Sequence, residues 1–150
     1  MPNSADTVQD RRSSSKEMIQ KFVQERTQML SLYADFAAQH PYNDKEAIAE
    51  LIEQFCEALI DYTADAHFRI YRHIDESTER RRSVYDIATK VYPQIIASTQ
   101  SILDFNDKYD AEDHEIVVDD LEKDLSNLGE KLADRIEYED MVIAALIASR

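Results

Sequence analysis

The sequence predicts an all-α fold, specifically an antiparallel up-down-up-down four-helix bundle. The chain contains only one Gly and three Pro among its 150 residues. Because β-sheet proteins need turn residues every several positions, this scarcity favours long helices with few connections. Apolar residues also recur at helical spacing in four segments that are separated by polar stretches. The length suits a single domain over residues 1–150, with a core that needs neither a metal nor a disulfide.

The first helix is preceded by a polar stretch that lacks periodicity. We expect residues 1 to about 13 to form a flexible, disordered arm. Ser14 and Glu17 have the spacing of a capping box, so the helix is predicted to begin there. It is predicted to stop at His40 and Pro41, since the residue before a proline disfavours helical geometry. Its apolar face is formed by Met18, Ile19, Phe22, Met29, Leu30, Tyr33 and Phe36.

The second helix is predicted to begin at another capping box, formed by Asn43 and Glu46, and to run to about residue 74. Its core face is formed by Ile48, Ile52, Phe55, Leu59, Thr63, Ala66 and Ile70. Residues 75–82 contain no apolar side chain and indicate a solvated loop or the start of the next helix.

The third helix is predicted over about residues 83–106, with a kink at Pro93. Its apolar face is formed by Val84, Ala88, Val91, Ile95, Thr99 and Ile102. The acidic residues 107–115 make the last connection. The fourth helix carries Leu121, Leu125, Leu128, Leu132, Ile136, Ile143 and Leu146 at helical spacing.

The second helix has an unexpected residue on its polar face. Glu57, Asp61 and Asp65 share this face with Phe68. Two interpretations are open. Phe68 is an exposed anchor for a partner whose basic side chains pair with the carboxylates. Alternatively, the helix bends near residues 64–66 and rotates Phe68 into the core.

Three polar residues interrupt the apolar faces. Arg26 lies in the middle of the first, and Glu139 and His114 lie on the fourth. Antiparallel packing of these two helices brings Arg26 within about a turn of Glu139, and a buried arginine requires such a partner. The pair is either a structural salt bridge that fixes the register or one side of a polar cleft for a partner.

The sequence does not indicate an enzyme. No histidine has a glutamate three residues before it, as a di-iron bundle requires, and the single glycine rules out a Gly-rich phosphate loop. We expect no cofactor, no metal and no catalytic residue. An alternative is a bundle that binds a small ligand or metal at a polar core of Arg26, His67, His114 and Glu139.

The acidic composition has two explanations, attraction of a basic partner or solubility alone. The net charge is −14, from 31 acidic and 17 basic residues, so the chain should repel nucleic acid and anionic membranes. The single Cys56 cannot form an internal disulfide and is expected to be a small buried residue. No apolar run is long enough to span a bilayer and no signal peptide is evident. These features predict a cytoplasmic protein.

Three segments resemble one known family. They are FCEALIDYTADAHFRIY (residues 55–71), KVYPQIIASTQSILDFND (residues 90–107) and LSNLGEKLADRIEYED (residues 125–140). In this order they resemble the Rsd/AlgQ family of bacterial anti-sigma factors, and the resemblance extends from about residue 16 onward. The pattern in the first helix also fits, at Phe22, Arg26, Leu30 and Tyr33.

The resemblance implies a four-helix bundle that binds the fourth conserved region of the primary sigma factor of RNA polymerase. This region is a helix-turn-helix module that reads the −35 promoter element and docks on the polymerase, so binding would keep sigma from both. The resemblance marks Asp61 as a sigma contact, and we expect a monomer in a one-to-one complex. The full set of predicted partner-binding residues is Asp61, Asp65, Phe68, Glu57, Tyr62, Arg26 and Tyr33. A regulator that docks another enzyme or a phosphocarrier is a further alternative.

Overall fold

The computed structural model describes residues 4–71, 82–109 and 118–148, and within these ranges the chain forms four α-helices and no strand. Helix α1 spans Ser4–Ala37, α2 spans Lys45–Asp65, α3 spans Arg82–Tyr109 and α4 spans Leu121–Ala148. A π-helical segment, Ala66–Tyr71, continues α2 directly. The predicted all-α fold is confirmed.

The helices pack as a bundle in which sequence neighbours lie side by side. Helix α1 contacts α2 and α4, and α3 also contacts both α2 and α4. Between α1 and α4, Arg26 meets Glu139 whereas the later residue Tyr33 meets the earlier residue Leu125. Residue numbers therefore run in opposite directions along this contact, as antiparallel packing requires.

The core is apolar and rich in aromatic rings. Phe55 contacts Phe36 at a centroid separation of 6.0 Å and Phe105 at 5.9 Å, and Phe105 contacts Tyr109 at 4.7 Å. Burying each such side chain contributes about 1.5–3 kcal/mol. Most residues on the predicted stripes of α2, α3 and α4 are buried, so helical periodicity identified most of the core.

Helix α1 begins ten residues earlier than predicted, at Ser4. Ser14 and Glu17 therefore lie inside the helix and not at its end, and residues 4–13, predicted as a disordered arm, are helical. The error arose because this part of the chain lacks apolar periodicity, which was the main sign of a helix in the sequence. The helix ends at Ala37, three residues before His40.

The other helix boundaries are close to those predicted. Asp44, one residue after Asn43, is the N-cap of α2, and its carboxylate accepts a hydrogen bond of 3.2 Å from the Ala47 amide. Helix α3 continues past Pro93 and ends at Tyr109, inside the segment predicted as an acidic connection. Residues 75–81 of the predicted loop and residues 110–115 of the predicted connection lie outside the described residues.

Candidate partner-binding face and buried polar centre

The side of α2 that points away from the core carries exposed carboxylates and leads to an exposed aromatic ring. Glu57 and Asp61 lie one turn apart and are both exposed. Phe68, in the π-helical segment, is 60% exposed. Large exposed aromatic side chains often act as anchors for binding partners. We refer to Glu57, Asp61 and Phe68 together as the α2 face.

Phe68 lies in the π-helical segment, and its side chain is exposed. Ala66 is fully buried, but His67 and Phe68 are both exposed, and their rings contact each other at a centroid separation of 5.2 Å. The helical geometry does change next to residues 64–66. Phe68 nevertheless stays outside the core. The interpretation in which a bend rotates Phe68 into the core is therefore wrong. Single π-helical turns of this kind frequently occur at functional sites.

Asp65 is less accessible than its position on the helical wheel suggested. Its side chain is only 10% exposed and forms an ion pair with Arg69 one turn later. Glu25 of α1 lies next to it. Burial raises the pKa of Glu25, and the neighbouring Asp65 carboxylate raises this pKa further. Asp65 thus lies in the contact between α1 and α2, beside the α2 face.

An acidic groove between α1 and α2 runs beside the α2 face. Its volume is about 360 Å³. Its lining comprises Glu25, Gln28, Leu32, Gln54, Glu57, Ala58 and Asp61. Carboxylate and amide oxygens along such a groove are suitable acceptors for the guanidinium groups of a basic partner.

A buried polar centre lies where α2, α3 and α4 meet. It consists of Tyr62, Arg135 and Glu139, none of which is more than 2% exposed. The Tyr62 hydroxyl lies 2.6 and 2.7 Å from the two carboxylate oxygens of Glu139. Arg135 Nε donates to Glu139 Oε2 at 3.2 Å and to the Tyr62 hydroxyl at 3.1 Å. The carboxylate therefore has two hydrogen-bond donors inside the core.

The same guanidinium also binds α3. Arg135 Nη1 donates to the Thr99 hydroxyl at 2.7 Å, the Ser98 hydroxyl at 3.1 Å and the Ile95 carbonyl at 3.3 Å. A buried charge without such partners would be prohibitively unfavourable. Arg135 thus connects α4 to both α2 and α3.

Arg26 contacts the edge of the buried polar centre from α1. Its Nη1 lies 3.6 Å from Glu139 Oε1 and 2.9 Å from Asp140 Oδ1, which confirms the predicted contact with Glu139. The Glu139 side chain is fully buried, so the bundle is closed here and the interpretation as an open cleft is wrong. Burial raises the pKa of Glu139, and the nearby Arg135, Tyr62 and Arg26 oppose this shift.

Three residues predicted to contact a partner lie within the bundle instead. Tyr62 is fully buried, and its hydroxyl binds Glu139. Tyr33 is partly buried, and its hydroxyl donates to the Leu125 carbonyl at 2.9 Å. The Arg26 side chain is only 12% exposed. None of the three lies on the α2 face.

The predicted polar core is only partly correct. Arg26 and Glu139 are together, but His67 lies in the π-helical segment and is exposed. His114 lies outside the described residues. No cluster of histidine, cysteine and carboxylate side chains in the described ranges could hold a metal. Cys56 is buried, as predicted.

Arg135 was missed by the sequence analysis, although the sequence contained a signal for it. The buried side of α4 follows alternating steps of four and three residues: Leu121, Leu125, Leu128, Leu132, Arg135, Glu139, Val142 and Leu146. This is the heptad spacing of a bundle seam. The predicted stripe instead used Ile136, which is only partly buried. Strict heptad spacing would have placed Arg135 next to Glu139 in the core.

Comparison with known proteins identifies the family. Residues 1–147 match the family described as "Regulator of RNA polymerase sigma(70) subunit, Rsd/AlgQ". The chain belongs to this family. It is 33% identical over 150 residues to the "Regulator of sigma D" of Enterobacter sp. (strain 638), covering 96% of this chain and 88% of that protein. No solved structure matches the chain significantly.

Other relatives of the Rsd/AlgQ family carry the same description. The "Regulator of sigma D" of Yersinia enterocolitica is 31% identical over 151 residues, covering 95% of this chain and 88% of that protein. The corresponding protein of Shigella boydii serotype 4 is 30% identical over 153 residues, covering 98% and 94%. The resemblance predicted from the sequence is confirmed, and the protein is a regulator of the sigma(70) subunit. None of the helices within the described ranges could span a membrane.

Proposed function

We propose that this protein is a non-enzymatic anti-sigma factor whose α2 face binds the fourth region of the primary sigma factor. Binding there would keep sigma from core polymerase and from the −35 promoter element, and it would take place in the cytoplasm, where RNA polymerase works. The observation that carries this proposal is the exposure of Phe68 next to Glu57 and Asp61, in a chain that belongs to the Rsd/AlgQ family.

The charges of the two partners are complementary. The chain carries a net charge of −14, whereas a helix-turn-helix module is basic on the side that reads DNA. Opposite charges accelerate encounter and orient the partners, and exposed pairs contribute less to affinity than to this steering. Glu57 and Asp61 can pair with arginines of sigma next to the acidic groove.

Phe68 supplies the apolar part of the proposed contact. Its ring is 60% exposed in the free protein, so binding can bury most of it in an apolar groove of sigma. Aromatic anchors near the centre of an interface commonly contribute about 2 kcal/mol or more. The carboxylates then determine orientation, and the ring supplies much of the affinity.

Replacement of Asp61 by Ala tests the proposal directly. We expect calorimetric titration with isolated sigma region 4 to show a loss of about 2–5 kcal/mol if the pair is desolvated. A matched control is Glu130→Ala, which removes the same charge from an exposed position on α4. Wild-type affinity in both Asp61→Ala and Phe68→Ala would contradict the α2 face, and no binding by the wild type would contradict the function.

The salt dependence of binding tests the electrostatic part separately. Since exposed charges are screened within about 10 Å at 0.1 M ionic strength, we expect affinity for region 4 to fall as salt is raised. Titration of the wild-type protein at low and high ionic strength measures this effect. Affinity that does not change with salt would show that the acidic surface does not contribute.

A further inference from the structure

Helix α3 carries a line of exposed apolar side chains that the proposed sigma contact does not use. Tyr85, Tyr92, Ile96 and Leu103 are 53, 41, 48 and 41% exposed. They are four of the seven large apolar side chains that the described part of the chain exposes. At 100° per residue, they lie within about 20° of a single line along the helix. We call these four residues the α3 stripe.

The spacing of the α3 stripe is symmetric about its centre. Successive members are seven, four and seven residues apart, an order that reads the same in both directions. If two copies of α3 pack antiparallel about a twofold axis, Tyr85 lies opposite Leu103 and Tyr92 lies opposite Ile96. Steps of four and seven residues are also those of a coiled-coil seam. We infer that this protein self-associates as an antiparallel twofold dimer through the α3 stripe.

Charges at the ends of the α3 stripe fit the same arrangement. Arg82 at the start of α3 is 92% exposed, and Asp107 near its end is also exposed. Both lie on the same side of the α3 stripe. A twofold axis brings like sides together, so Arg82 of each copy lies level with Asp107 of the other to within about 1.5 Å along the helix. Opposite charges therefore meet at both ends of the interface, where Arg82 also lies 3.8 Å from Asp86 of its own helix.

The size of the α3 stripe determines how strong the association can be. It extends about 27 Å along the helix and presents four large side chains. Interfaces below about 1,200 Å² are typical of weak, transient association. Two chains of net charge −14 also repel each other. We therefore expect a concentration-dependent dimer, in contrast to the monomer predicted from the sequence.

Sedimentation equilibrium of the full chain alone tests the inference, independently of sigma binding. Measurements from about 1 μM to 1 mM are made in about 0.3 M salt to screen the repulsion. We expect the average mass to rise from that of one chain towards that of two. A mass that remains that of one chain at every concentration would overturn the inference. If Ile96→Glu then weakens binding of sigma region 4, the α3 stripe belongs to the sigma contact instead.

Two variants connect the association to the α3 stripe. Ile96→Glu should weaken the dimer about tenfold or more, and Arg82→Glu about twofold or more. Ile147→Glu on α4 is the control, because Ile147 is 54% exposed and lies outside the α3 stripe. Thermal melts check that each variant folds. Unchanged association in Ile96→Glu would overturn the inference.

Mixed cross-linking tests the orientation of the two copies. The variants Tyr85→Cys and Leu103→Cys are mixed and oxidised. We expect disulfides that join one variant to the other, because these two positions face each other only in an antiparallel pair. The native Cys56 is buried and should not compete. Cross-linking of Tyr85→Cys mainly to itself would contradict the antiparallel arrangement.

Discussion

The buried polar centre and the α2 face both contain carboxylates on α-helices, but their surroundings differ. The Glu139 side chain is fully buried and accepts hydrogen bonds from Tyr62 and Arg135. Asp61 is exposed to solvent. Removing Glu139 would leave a buried guanidinium without its counterion, whereas removing Asp61 would leave no buried charge in the free protein. The first carboxylate should therefore affect folding and the second should affect binding.

The buried polar centre also explains how the helices keep their register. Buried ion pairs contribute little net stability compared with apolar side chains of similar volume. Arg135, however, reaches its partners on α2 and α3 only when both helices are correctly aligned with α4. A slip by one turn would separate these groups inside the core. We infer that the centre disfavours misaligned packing more than it stabilises the native state.

The largest effect is expected for Glu139→Ala. This change leaves Arg135 buried and without its counterion, so the free energy of unfolding should fall by about 3–5 kcal/mol. Urea denaturation monitored by circular dichroism measures the loss. Glu137→Ala, an exposed change two residues earlier on α4, should be nearly neutral.

Replacing both charged residues with apolar ones tests whether the loss of stability comes from leaving one buried charge unpaired. Arg135→Met combined with Glu139→Leu should recover much of the stability that Glu139→Ala loses, because neither charge is then left alone. If Glu139→Ala unfolds like the wild type, the centre is hydrated and the contrast with the α2 face disappears.

Phe68→Ala should have the opposite profile. Because the ring is 60% exposed in the free protein, the melting temperature should stay close to that of the wild type. Affinity for sigma region 4 should fall by about 2 kcal/mol or more if the ring is an anchor. Met141→Ala, at an exposed apolar position on α4, is the control. A clear loss of stability would instead show that Phe68 packs in the core.

Gly129→Ala tests whether the Tyr33 ring is held in place by the interior of the bundle. A methyl group at Gly129 would lie 2.2 Å from the Tyr33 hydroxyl and 2.9 Å from its Cζ, so the ring would have to move. In a helix, Gly→Ala normally stabilises by about 1 kcal/mol, but here we expect a net loss of about 1–3 kcal/mol from overpacking.

Removal of the Tyr33 hydroxyl provides the matched background for this test. In Tyr33→Phe, the shortest contact with the new methyl group is gone, so Gly129→Ala should cost less than in the wild type. Chemical denaturation of the two single variants and the double variant measures the coupling. If Gly129→Ala alone raises the stability of the protein, the Tyr33 ring moves aside freely.

Much of the bundle could be predicted because helical spacing of apolar residues is a strong local signal. It identified the core of α2, α3 and α4 and predicted the contact between Arg26 and Glu139. It failed for residues 4–13, where the helix has no apolar stripe to reveal it. It also failed for Arg135, because the predicted stripe of α4 used Ile136 in place of the heptad position Arg135. The partners of Arg135 on α3, Ser98 and Thr99, are distant in sequence and gave no local signal.

The candidate site was harder to predict than the fold. Exposure of Phe68 was one of two open interpretations, because a wheel of uniform period cannot show where a π-helical segment begins. Tyr62 was also predicted to contact the partner. It directly follows Asp61, and adjacent helical residues point about 100° apart. Tyr62 accordingly enters the core while Asp61 remains exposed.

The smallest effect is expected from an ion pair at the end of α3, which is more exposed than the buried polar centre. The Asp124 carboxylate lies 2.6 Å from Lys108 Nζ and accepts a hydrogen bond of 2.6 Å from the Tyr109 hydroxyl. Partial burial raises the pKa of Asp124, but the hydrogen bonds from Lys108 and Tyr109 outweigh this and hold it below its ordinary value of 3.8. The folded state therefore binds this proton more weakly than the unfolded state. The stabilisation is present above pH 3.8 and is lost as the pH falls through the folded pKa.

Asp124→Asn should reveal this pH dependence as a small change in melting temperature. Near neutral pH the variant should melt about 1–3 °C below the wild type. The difference should vanish as the pH falls through the lowered pKa of Asp124 in the folded state. Asp120→Asn is the control, because Asp120 is 67% exposed and lies 3.4 Å from the same Lys108 Nζ, farther than Asp124. We expect its effect to be smaller at every pH. A difference for Asp124→Asn that persists unchanged at low pH would show that the lost contact is not that of an ionised carboxylate. In that case the ionised pair contributes nothing measurable here, and only buried carboxylates such as Glu139 affect folding.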